Sequence, residues 1–170
     1  MSKSDQSEPW LRGTLKQIPA VQRAVIHALE LAAEDLRRWC GSLTDDQMNT
    51  RPFGLAPVAF HFRHLARSLD RLLTYAEGRP LTDEQLTAMK AELETGATRD
   101  DLFLELDLAL AESARRIQAF DPSQFELARS VGKKGLPTSV AGLLVHVADH
   151  TQRHVGQAIT TAKLLLAQPS

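Results

Sequence analysis

Apolar residues recur at three- and four-residue intervals along most of this chain, the period at which an α-helix buries one face. Ile18, Val21, Val25, Ala28, Ala32 and Leu36 form such a stripe over residues 19–40, and Gly41 is a natural stop. Val58, Phe62, Leu65, Leu69, Leu72 and Ala76 repeat it from Pro57, which suits a first helical position, to about residue 77, before Gly78 and Pro80. Between these two helices, residues 41–56 carry Gly, Pro, Asn and Asp with little periodicity and read as a long connection with a helical turn after Thr44. Thr82 followed by Gln85 has the spacing of a capping box and predicts a short helix over residues 82–94.

The segment 100–120 begins with alternation, Leu104, Leu106, Leu108 and Leu110 being separated by Glu105, Asp107 and Ala109 as in a strand. Good helix formers, a Thr98 to Asp101 cap signal and a length far beyond an ordinary strand favour helix instead. Leucines all round its first half then serve either a wide core stripe or a second surface such as a dimer contact. Residues 121–137 read as a loop with Gly132, Lys133, Lys134 and Gly135 at its exposed end, and Thr138 or Ser139 caps a last helix running to about Leu166. Four long helical segments with scarce strand signals predict an all-α fold, a four-helix bundle.

Composition narrows the function classes. A chain of 170 residues fits one domain, residues 1–170, with residues 1–8 expected to be a flexible tail. A net charge of −1 without a basic tract argues against nucleic acid as a partner, since phosphate neutralisation needs clustered Lys and Arg. No apolar run is long enough for a membrane span or a signal peptide, so a cytoplasmic protein with no membrane partner is expected. The single cysteine, Cys40, has no second thiol for a disulfide or a Cys-x-x-Cys site and reads as a packed residue at a helix end.

Histidine is where chemistry collects. His146, His150 and His154 stack one turn apart on the last helix, so any adjacent pair is a two-toothed chelate. At about 100° per residue from the Val147 direction, His154 lies about 20° away, His150 about 60° and His146 about 100°. His150 and His154 therefore face inward. The second helix supplies His61 and His64, and angle favours His61, about 40° from the Leu65 direction, over His64 at about 100°. His27, alone on the first helix and off its stripe, reads as a surface or boundary residue. No serine nucleophile elbow, phosphate loop, Cys-rich zinc motif or dinucleotide fingerprint is present.

The strings FHFRHLARSLDRLL at residues 60–73 and HVADHTQRHVGQ at residues 146–157 resemble the two signature helices of the DinB/YfiT-like superfamily. Helix order and loop lengths extend the likeness from about Pro9 to Leu166. The resemblance implies a four-helix bundle of up-down-down-up topology, commonly a homodimer, in which three histidines bind a divalent metal. By position the ligands fall on His64, which precedes Leu65 and Ala66, and on His150 and His154, with Gln157 following. It thus selects His64 where angle alone favours His61, and His61, His146, Asp149 and Gln157 become flanking residues that orient or rim the ligands. Three neutral nitrogens leave a coordination position open. Zinc or nickel suits imidazole best, with iron or manganese also compatible. The implied activity is metal-dependent hydrolysis, or a transfer reaction that activates a low-molecular-weight thiol, on a small-molecule substrate. The alternative is a noncatalytic, metal-stabilised binding or stress-response protein.

Overall fold

The computed structural model describes residues 7–167. Of the tail expected over residues 1–8, the first six residues lie outside the described residues. Glu8 accepts a hydrogen bond from Trp10 Nε1 at 2.6 Å at the start of a 3-10 turn, and Arg12 then grips Glu34 with both terminal guanidinium nitrogens, at 2.6 and 2.7 Å.

Among the described residues six α-helices follow: α1 (Ala20–Cys40), α2 (Asp45–Asn49), α3 (Val58–Ala76), α4 (Asp83–Lys90), α5 (Arg99–Gln118) and α6 (Val140–Leu166). Their starts are chemically marked. Thr44 with Gln47 and Thr82 with Gln85 form reciprocal capping boxes, while Thr98 and Ser139 accept from the backbone N–H of Asp101 and Gly142. Pro57 sits at the N-cap of α3, one position earlier than its sequence context suggests.

Cross-helix contacts fix the topology. Gln22 near the start of α1 donates through Nε2 to the carbonyls of Ile117 and Phe120 at the end of α5, at 2.8 and 2.9 Å, while Arg37 near the end of α1 pairs with Asp107. Those two helices are therefore antiparallel, and Gln22 adds a donor to carbonyls at the end of α5. Arg67 pairs with Glu105 and Arg116 with Asp70, which makes α3 and α5 parallel. Gln152 donates to the Ala28 carbonyl at 2.7 Å and Lys163 lies 4.0 Å over the Trp39 ring, so α1 and α6 are parallel too. The result is an up-down-down-up four-helix bundle of α1, α3, α5 and α6.

The bundle closes on a core that includes Leu36, Phe62, Leu65, Leu69, Leu106, Ile117, Leu144 and Val147, each at most 1% exposed. Cys40 is fully buried in it, and burial raises its thiol pKa to about 12, which keeps it inert at neutral pH. On α5 the leucines divide. Leu102, Leu106 and Leu110 are buried, whereas Leu104 and Leu108 are 59% and 64% exposed, so the stripe is of ordinary width and a second apolar surface remains.

Two expectations are corrected. Residues 121–137 are not wholly loop: Ala128–Val131 (β1) pairs antiparallel with Leu136–Ser139 (β2), Val131 opposite Leu136. Gly132 and Gly135, at φ +71° and +60°, take the left-handed conformations of the connecting turn. His27 is not at the surface but buried, its Nε2 3.1 Å from Thr14 Oγ1, because the chain before α1 folds back over that face.

Truncation should separate the two kinds of leucine. Leu144→Ala is expected to cost about 2–5 kcal/mol of unfolding free energy through lost burial and a cavity. Leu108→Ala should change the unfolding free energy of the monomer by no more than about 0.5 kcal/mol. Urea unfolding of both variants checks the contrast.

Candidate metal centre

The antiparallel packing of α3 on α6 brings the two histidine-bearing helices together. His64 Nε2 lies 3.1 Å from His150 Nε2, and one ring nitrogen each of His64, His150 and His154 falls within a mutual 4.8 Å. The rings of His64 and His154 are 4.4 Å apart at their centroids, those of His150 and His154 4.6 Å. An ion with bonds of 2.0–2.1 Å in tetrahedral geometry holds its nitrogens about 3.3 Å apart, so these donors need only small adjustments to share one ion.

The contacts on the far side of His64 determine which nitrogen it offers. Nδ1 lies 2.7 Å from Glu92 Oε2, and an ionised carboxylate only accepts, so Nδ1 carries the proton and the neutral ring has its lone pair on Nε2, towards His150. Glu92 is buried, and its other oxygen accepts from Arg71 Nη1 at 2.7 Å. Burial pushes its pKa up, but the hydrogen bonds from His64 and Arg71 outweigh that and hold the carboxyl below its ordinary value. Phe60 stacks on the His64 ring at 5.3 Å. His150 Nδ1 lies 3.5 Å from Ser68 Oγ, one turn of α3 beyond His64.

His61 takes an inner place. It is 4% exposed, with Nδ1 3.1 Å from Nδ1 of His154, and so abuts a member of the cluster from the core side. Burial, with neighbouring imidazoles, pushes the His61 pKa down to about 4. Burial likewise lowers His150 to about 4, aided by His154, His64, His146 and Arg153, and lowers His154 to about 4, aided by His64 and Arg153 against Glu92. All three are thus neutral at pH 7, the state in which imidazole is a ligand.

The other flanking residues spread outward. His146 is half-exposed, its ring 5.5 Å from that of His150. Asp149 turns to solvent, 2.7 Å from Arg153 and 3.7 Å from His146. Gln157 lines a cleft of about 670 Å³ with Leu55, Phe60, His61, Arg153 and Thr161. Because Phe60 and His61 also touch the histidine cluster, cleft and cluster share a wall. Sequence reasoning missed Glu92 and Ser68. Glu92 carries no local signal, since 28 positions separate it from His64 and only the tertiary fold joins them.

The depressed imidazole pKa values give metal-free protein a defined pH response. Between pH 6.5 and 4 the unfolded chain takes up protons that folded His61, His150 and His154 refuse. Their stabilisation is therefore present above about pH 6.5 and lost as pH falls through that window. Urea midpoints of chelator-treated protein should fall from pH 7 to pH 5, above the main carboxylate range, and His61→Gln should flatten the slope. A midpoint constant over that interval would contradict the assignment.

The sequence model of the DinB superfamily matches residues 28–158, a span that includes both histidine-bearing segments. No curated protein matches significantly. Among solved structures, the chain is similar to a conserved protein from Enterococcus faecalis, with a TM-score of 0.72 at 21% identity over 88% of this chain and 99% of that one. It is also similar to YfiT from Bacillus subtilis, described as a probable metal-dependent hydrolase with an unusual four-helix bundle topology. There the TM-score is 0.65 at 16% identity, over 86% of this chain and 89% of that one. At such identities the structural likeness speaks for the fold, and the sequence match, which spans most of the chain, for the lineage: this protein belongs to the DinB superfamily.

Proposed function

We propose that this chain binds a divalent metal through His64, His150 and His154 and uses the remaining coordination position for chemistry on a small molecule, as a hydrolase or a low-molecular-weight-thiol S-transferase. The observation that carries the reading is the convergence of three imidazole nitrogens within 4.8 Å from two different helices. A divalent ion held there supplies Lewis acidity towards an oxygen or sulfur ligand. The chain's own contribution is positional. Glu92 fixes the tautomer of His64, burial keeps the other two imidazoles neutral, and the cleft beside Phe60 and His61 offers a seat for a substrate. Zinc and nickel are the ions this donor set favours. A homodimer contact through the exposed Leu104 and Leu108 belongs to the same proposal.

That the ligands bridge α3 and α6 also suits a noncatalytic role, in which the ion mainly pins the two helices together. Activity separates the readings. A single-turnover screen with thiol cofactors and model electrophiles should show turnover that chelation abolishes. No metal-dependent turnover in either class, with a sharp loss of melting temperature on chelation, would favour the structural role.

Ligand identity is tested by zinc affinity. His64→Ala, His150→Ala and His154→Ala should each weaken binding by more than the roughly 10–100-fold typical of losing an outer partner. His146→Ala should leave affinity unchanged and His61→Ala should keep most of it. A variant series in which His61→Ala abolished binding and His64→Ala did not would transfer the third ligand to His61.

A further inference from the structure

The segment that carries Glu92 is docked in an unusual way. Helix α4 buries none of its residues, Met89 and Leu93 are 42% and 53% exposed, and Glu92 is the one buried residue in the stretch 83–94. Hydrophobic burial therefore does not hold it. Three arginines spaced four apart on α3 do: Arg63 donates to the Glu94 carbonyl, Arg67 to the Ala88 carbonyl at 2.8 Å and Arg71 to Glu92 Oε1 at 2.7 Å. Gln85 adds bonds to Asp70 and Thr74 at 2.6 and 2.9 Å. A carboxylate buried in such a segment is costly unless both oxygens are matched, and the second match is His64.

We propose that Glu92 is the positioning residue of His64 and that it couples metal binding to the docking of residues 83–94 on α3. The inference rests on His64 being a ligand, as proposed above. Coordination at Nε2 withdraws electron density from the ring and makes Nδ1–H a stronger donor to Glu92. The docked carboxylate in turn makes the ring a better ligand. By linkage the two effects are one free energy, so each event strengthens the other by the same factor.

Two measurements on the full chain test this. Zinc affinity by chelator competition should fall about 10–100-fold in Glu92→Gln. Amide hydrogen exchange over residues 88–94 should slow when Zn²⁺ is added to wild-type protein, and much less so in Glu92→Gln. Wild-type affinity in Glu92→Gln, or exchange in the wild-type segment that ignores Zn²⁺, would overturn the coupling. If Glu92→Gln does not fold, the wild-type exchange measurement alone decides. A His64→Ala variant that binds zinc like wild type would instead overturn the ligand assignment beneath it.

Discussion

The antiparallel contact between α3 and α6 is the constraint on which the rest of the molecule depends. It sets His64 against His150 and His61 against His154, each pair 3.1 Å apart, and four imidazoles share a small volume as a result. Three of them do so uncharged. Burial enforces this for His61, His150 and His154, while Glu92 settles the proton of His64. The other helices serve that arrangement. Gln22 and Arg37 hold α1 against α5, the ion pairs of Arg67 and Arg116 hold α5 along α3, and Gln152 holds α6 along α1.

Polar groups in this bundle fall into two layers with different consequences. The exposed pairs, such as Arg115 with Glu112, are screened by solvent and contribute little. The pairs that face the centre, Glu92 with Arg71 and with His64, are removed from water, so losing one partner strands the other. Chemistry and stability thus meet at Glu92: the group that orients one imidazole is also the only buried side chain of the stretch it belongs to.

The four long helices, the caps of α5 and α6 and the histidine pair on α6 were legible in the sequence because each is a local signal: an apolar period, a Thr or Ser before a helix, two imidazoles one turn apart. The hairpin was not, since four-residue strands such as Ala128–Val131 carry too little alternation to stand out from a loop. His27 escaped for a related reason: what buries it is a preceding non-helical segment, which angular analysis of one helix cannot see. Helical angle ranked His61 as deeper than His64, and it is: His61 is buried and His64 half-buried. Depth and convergence differ, however, and the shoulder position turns His64 towards both His150 and Glu92. Glu92 meets the cluster only through tertiary packing, for which one sequence holds no local pattern, whereas Ser68 stands one turn from His64 and only its contact with His150 is tertiary.

The most direct test is a crystal structure of zinc-loaded protein with anomalous data collected at the zinc edge. A single anomalous peak about 2.0–2.1 Å from one ring nitrogen each of His64, His150 and His154, with a further position open towards solvent, is the predicted result. A peak ligated by His61 in place of His64, or none at this cluster in zinc-saturated crystals, would contradict it.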